Sequence, residues 1–283
     1  MKKKIVLSML AGALLVSSLG GGGDSAKAAA SSDRAVKAQA EYQRLHPSEK
    51  FNLSDTDPEF AAMMQKYIYN DIYTQSVLAP RERYLVTLSV LTTAQNAKQL
   101  AVIAEEALSA GVTPLELKEG IYHTAPYIGF AKTAEALETV NEVFRKQHIA
   151  LPLAPQGTTD DSDRFGKGLA FQVGTYGERI TKMREATPEN QKHLQDDLSA
   201  FCFGDIYTRK VLDLKQREMI TIAAIGTLGI EAQFRSHVNG TLAAGATEEE
   251  VIGAITAMNP YVGFPRTLWM LKIANECFAA RHG

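Results

Sequence analysis

Cysteine is scarce in this chain, with only Cys202 and Cys277 among 283 residues. The two are far apart and in no metal-ligand spacing, which excludes a thiolate metal site and a Cys-x-x-Cys redox pair. In an oxidising compartment they can form a disulfide, but cysteine is also a common buried small residue, and both readings stand. Charge of one sign is missing too: 30 Lys and Arg against 32 Asp and Glu leave a net charge of −2. Without a basic block there is no electrostatic footprint for nucleic acid, and none is expected as a partner. Beyond the first residues no apolar run approaches the roughly 20 residues that a membrane-spanning helix needs. Alternating strand patterns of useful length are lacking as well. What remains is apolar residue in quantity, 45% of the chain, recurring at spacings of three and four in Tyr84 to Ala94, Leu100 to Leu108, Leu115 to His123 and Ala131 to Phe144. That is the period of amphipathic helices, and it predicts an all-α protein.

The start of the chain has a different character. Lys2 to Lys4 precede an apolar run from Ile5 to Leu19, then Gly20 to Gly23 and Ala26-Lys27-Ala28. A basic start, a short apolar core and an Ala-x-Ala site form a secretory leader over residues 1–28, with cleavage expected near Ala28. No cysteine follows to take a lipid. The mature protein is expected to be exported, to the periplasm or beyond.

Internal repetition sets the architecture. Asp71-Ile72-Tyr73-Thr74 returns as Asp205-Ile206-Tyr207-Thr208, 134 positions on. The same shift carries Val77-Leu78 onto Val211-Leu212, Arg83 onto Arg217, Ala110-Gly111 onto Ala244-Gly245, and Thr113 and Glu116 onto Thr247 and Glu250. Pro126-Tyr127, Gly129-Phe130 and Thr133 meet Pro260-Tyr261, Gly263-Phe264 and Thr267 without a gap. Two copies of one helical unit are therefore expected, at 31–150 and 164–283. The stretch 151–163, rich in Pro, Gly and polar residues, reads as the linker.

The second copy holds the best candidate for chemistry. Met219 to Leu228 is apolar on nearly every side and predicts a buried helix. Glu231 to Ala244 predicts the next, stopped by Gly245, and Thr247 with Glu250 has the spacing of a capping box that opens a third. If the first two helices form a hairpin, Glu218 and His237 meet across it. An imidazole is the side chain suited to moving protons near neutral pH, and a carboxylate can hold it in one tautomer. A mid-helix histidine beside a carboxylate is also what a satisfied buried polar pair looks like. The first copy has Tyr84 and Ile103 at these positions, so it is expected to carry no acid–base pair. Tyr127 and Tyr261 read as packing residues at a turn, and His46, His148, His193 and His282 as surface residues.

Pro126-Tyr127-Ile128-Gly129-Phe130 and Pro260-Tyr261-Val262-Gly263-Phe264-Pro265 resemble the carboxymuconolactone decarboxylase family. So do Arg217-Glu218 at the start of a buried helix, His237 on the next, and Ala244-Gly245-Ala246-Thr247-Glu248-Glu249. The resemblance covers both copies. It implies an all-α fold of two tandem alkylhydroperoxidase D-like domains forming a pseudo-dimer, and a homo-oligomer such as a trimer of two-domain chains. The peroxidase members of the family use a Cys-x-x-Cys ahead of the histidine; Ile230 and Gln233 stand there in this chain, and neither yields a thiolate. The decarboxylase members imply instead a cofactor-free acid–base reaction on a small carboxylated lactone or related acid. His237 and Glu218 are then the catalytic pair, Arg235, His123 and Tyr261 candidate substrate contacts, and no metal is expected. Family substrates of this type arise in the cytoplasm, so an export leader implies a different small acid. A peroxidase-family protein without the cysteine pair, and a non-catalytic binding or assembly protein, are the alternatives.

Overall fold

The computed structural model describes residues 22–282, and every regular element among them is a helix. The expected export leader lies outside the described residues up to Gly21; Ala26 to Ala28 fall within the first helix. The first copy comprises α1 (Gly22–Leu45), α2 (Pro58–Lys66), α3 (Pro80–Thr93), α4 (Ala97–Ser109), α5 (Pro114–Ile128) and α6 (Phe130–Lys146). Helix α2 continues through a π-helical segment (Tyr67–Ile72) into a last turn (Tyr73–Gln75). The second copy comprises α7 (Arg164–Tyr176), α8 (Glu178–Ala186), α9 (Lys192–Asp197), α10 (Leu214–Leu228), α11 (Glu231–Ala243) and α12 (Glu248–His282). Helix α9 runs on into a π-helical segment (Leu198–Tyr207), matching the one in the first copy.

Local chemistry explains most boundaries. Thr113 and Glu116 form the capping box of α5, and Thr247 with Glu250 closes the same pair of bonds at α12. Helix α10 begins five residues before the expected Met219 because Asp213 and Gln216 make a further capping box there. Its C-terminus falls at Gly229, which takes the left-handed conformation (φ 78°) that ends helices. Gly129 and Gly263 also have positive φ, 85° and 76°. They separate α5 from α6, and break α12 at the equivalent point.

The centre of the molecule is the pair α3 and α10, each buried along almost its full length. They lie against each other, one from each copy, with the Ser89 hydroxyl donating to the Ile220 carbonyl at 2.8 Å. One apolar cluster joins Leu78, Val86 and Val90 of the first copy to Ile222, Phe234, Met258 and Phe278 of the second. A second cluster, around Leu88, Leu100, Ile121 and Phe144, fills the first copy. The two halves thus share a core, as the repeat implies. Residues 151–163 are stitched to the second copy: Thr158 Oγ1 donates to the Thr208 carbonyl at 3.0 Å, and the Lys210 amide to the Gln156 carbonyl at 3.2 Å.

Candidate active site

The hairpin of α10 and α11 does bring Glu218 and His237 together. His237 Nδ1 lies 2.8 Å from Glu218 Oε2. Glu218 is fully buried, and a buried carboxylate is tolerable only when its oxygens are well supplied with donors. Two tyrosines complete the supply: the Tyr176 hydroxyl from the end of α7 and the Tyr207 hydroxyl from the π-helical segment each donate to Oε1 at 2.8 Å. The carboxylate needs room as well. A Cβ on Gly240 would stand 2.6 Å from Glu218 Oε2, so glycine on α11 vacates the space that the carboxylate fills.

With Nδ1 held by Glu218, Nε2 is the ring atom left to meet a ligand. His237 lines a cavity of about 480 Å³ together with Tyr127, Tyr176, Arg179, Cys202, Phe203 and Gln233. The wall is mostly apolar with a few convergent polar groups, the usual composition of a small-molecule site. Ile230 and Gln233, at the places where a redox pair would be, also face this cavity. Cys202 is the one thiol on the wall, and burial pushes it up to about 12, so the thiolate that peroxide reduction requires is disfavoured. Cys277 lies elsewhere; both cysteines are free and buried. Among the described residues no three His, Cys, Asp or Glu side chains gather as a metal-binding group.

Three of the expected contacts lie away from the cavity. Arg235 points along the outer face of α11, where its guanidinium pairs with Glu231 at 3.1 Å and Glu276 at 2.6 Å. Arg179 takes its place on the cavity wall, exposed, bonded only to the Ser236 hydroxyl at 3.1 Å among the described residues. Tyr261 belongs to the other half, packed against the first-copy core near Glu106 and Tyr84. His123 is fully buried behind the site instead of lining it. Arg217 can only donate, so its contact to His123 Nδ1 at 3.4 Å puts the ring proton on Nε2, which donates to Thr221 Oγ1 at 3.0 Å. From Thr221 the network continues to the Tyr127 hydroxyl at 3.0 Å and on to Tyr207 at 2.8 Å. Tyr207 spends its proton on Glu218 and so accepts from Tyr127. Two residues of the first copy, His123 and Tyr127, thereby brace the second-copy carboxylate.

Burial, and then the Arg217 and His237 charges, hold His123 well below the usual imidazole range. A histidine kept neutral only in the folded state gives stability that is present above its unfolded value and lost as pH falls towards its folded value. Thermal unfolding followed between pH 7.5 and 5 should show a smaller acid-side loss in His123→Asn than in wild type.

The first copy departs from expectation. His46 is buried, 5% exposed, with Nε2 3.0 Å from the fully buried Glu106. The hydroxyl of Tyr69 donates to Glu106 at 2.5 Å, and those of Tyr73 and Tyr84 at 3.2 and 3.4 Å. An acid–base pair is therefore present in this half too, on residues that the 134-residue alignment with Glu218 and His237 does not reach. His148, His193 and His282 are exposed as expected.

Known proteins share this architecture. The family model for the carboxymuconolactone decarboxylase family matches residues 58–142 and again 192–276. A 4-carboxymuconolactone decarboxylase of Acinetobacter baylyi is 27% identical over 120 residues, covering 42% of this chain and 90% of that protein. Peroxisomal protein 2 of Schizosaccharomyces pombe is 22% identical over 185 residues, covering 63% of this chain and 84% of that one. In fold, the chain is similar to a crystal structure from Burkholderia xenovorans with the provisional name gamma-carboxymuconolactone decarboxylase subunit. Its TM-score is 0.52 at 20% identity, covering 88% of this chain and 98% of that one. With one match in each half, this chain belongs to the carboxymuconolactone decarboxylase family and carries its domain twice.

Proposed function

We propose that the chain is an enzyme that decarboxylates or isomerises a small carboxylated lactone or related enolisable acid, with the proton carried by His237. The observation that supports this most is the Glu218–His237 pair at the wall of an apolar cavity with a cation, Arg179, on the same wall. In this reading Arg179 holds the substrate's anionic end, and the ring packs among Tyr127, Phe203 and Ile180. The bond to the departing carboxylate breaks, its electron pair passes into the adjacent carbonyl as an enolate, and carbon dioxide leaves. His237 Nε2 then gives its proton to the carbon and regains one from water, while Glu218 keeps Nδ1 in place. Isomerisation uses the same nitrogen first as base and then as acid. The acid need not be the family's usual lactone, since the expected leader implies an exported protein. Phe130 and Phe264, equivalent in the two copies and both more than 60% exposed, support further association of two-domain chains.

A thermal-shift screen of carboxylated lactones and keto acids tests the reading, because a ligand that binds only the folded chain raises its apparent stability. At least one compound should stabilise wild type and not His237→Ala, and that compound should release carbon dioxide with wild type. A protein with no such ligand, whose His237→Ala variant is merely less stable, would be the non-catalytic alternative.

A further inference from the structure

The His46–Glu106 pair has the ingredients of the second-copy pair, but each is supplied from a different position. Alignment by 134 residues sets Tyr84 against Glu218 and Glu106 against Gly240. Because a Cβ at Gly240 would stand 2.6 Å from the Glu218 carboxylate, these two positions compete for one volume. The second copy fills it from α10 and leaves glycine on α11; the first copy fills it from α4 and has tyrosine on α3. The histidine has moved in the same way. Ile103 stands opposite His237. In the leading helix Asp33-Arg34 and Lys37 match Asp163-Arg164 and Lys167 at an offset of 130, with Arg34 paired to Asp71 as Arg164 is to Asp205. His46 therefore stands opposite Tyr176, a donor to Glu218 on the second-copy cavity wall.

This relocated pair also faces a cavity. His46 lines a space of about 280 Å³ with Tyr42, Phe51, Ile68, Tyr69 and Lys98. That is just under the range of about 300–1,000 Å³ usual for ligand pockets, and it suits a molecule of one ring. The His46 ring is stacked on Tyr42 with centroids 4.6 Å apart, and its Nε2 is committed to Glu106. Its Nδ1 is the free atom, and a carboxylate already approaches it: Glu49, 65% exposed, comes within 3.6 Å. Burial disfavours charge on His46, but the bond to Glu106 and the fields of Glu106, Glu49 and Glu105 outweigh it and raise the group above its ordinary range. Lys98 adds an exposed cation with no carboxylate partner among the described residues.

We propose that the first copy holds a second small-acid site, in which His46 Nδ1 and Lys98 take the carboxylate of a single-ring acid and Glu49 is displaced to solvent. Glu49 is then an internal competitor for the position. The proposal is independent of the reading at His237, and the His237→Ala chain separates the two.

Benzoate serves as the probe, titrated calorimetrically into the full chain carrying His237→Ala. One saturable site per chain is expected. Adding His46→Gln, whose amide nitrogen reaches the place of Nε2 and can still donate to Glu106 while no donor remains at the place of Nδ1, should weaken it at least tenfold. Adding Glu49→Gln, which leaves the buried pair untouched, should tighten it about threefold by removing the competitor. In histidine-labelled wild type, the His46 ring resonance should move on saturation. Absence of saturable binding in the His237→Ala chain, or binding indifferent to both His46→Gln and Glu49→Gln, would overturn the proposal.

Discussion

Glu218→Ala is expected to cost about 3–5 kcal/mol of folding stability, a large part of the roughly 5–15 kcal/mol that a domain commands. The reason is the number of groups it strands. The Tyr176 and Tyr207 hydroxyls and the His237 Nδ1–H all converge on this carboxylate, which has no exposed surface, so its loss leaves three donors pointing into a buried void. Glu218→Gln preserves shape and part of the bonding, so it should fold. Its amide nevertheless presents a donor towards groups that need acceptors, and the tautomer of His237 is no longer dictated. Turnover should fall by about 10²–10⁴-fold in the glutamine variant, the scale on which positioned proton transfer contributes. Urea midpoints for both variants, and turnover for Glu218→Gln on any substrate from the lactone screen, check the two halves of this expectation. A glutamine variant with full turnover would mean that the carboxylate is only architecture.

Gly168→Ala should be nearly as damaging, far from any chemistry. A Cβ there would lie 1.9 Å from the Ser199 carbonyl oxygen and 2.5 Å from the Gly204 amide nitrogen. Both obstacles are backbone, so no side chain can rotate aside, and α7 would have to lift off the π-helical segment. Overpacking of this kind costs about 3 kcal/mol or more. Lifting α7 also withdraws Tyr176 from Glu218, so ligand response at His237 should weaken together with stability. Gly174→Ala, on the same helix with nothing within 4 Å of its Cβ, is the control: it should be neutral or stabilise by up to about 1 kcal/mol. Equal thermal midpoints for the two variants would contradict the close approach of these helices.

Much of this was legible before any coordinates. The gapless 134-residue repeat yields two copies, and three-and-four spacing yields helices. The hairpin that joins Glu218 to His237 follows from the two consecutive helical patterns, Met219 to Leu228 and Glu231 to Ala244. The supports of that pair were harder to see. Tyr207 sits in the very Asp-Ile-Tyr-Thr segment that reveals the repeat, but a repeat marker carries no sign that its hydroxyl reaches a carboxylate. The π-helical segments that present Tyr69 and Tyr207 have no periodicity of their own to betray them. Arg235 and Arg179 were indistinguishable as charges; only the positions of Glu231 and Glu276 show that the first is neutralised on the outer face. His46 was misjudged because it lies ahead of Asp71, where the 134-residue register begins, and its partner Glu106 stands opposite a glycine, so neither matches the second-copy pair.

The central claim is that His237 moves a proton at a carbon of the bound acid, and deuterium tests it most directly. The compound that stabilises wild type is incubated in deuterium oxide with wild type, His237→Ala and, as a control on the first copy, His46→Gln. The account predicts one deuteron on the product carbon with wild type and His46→Gln, and neither product nor label with His237→Ala. Label appearing at the same rate without His237, or no label in wild type despite turnover, would contradict it.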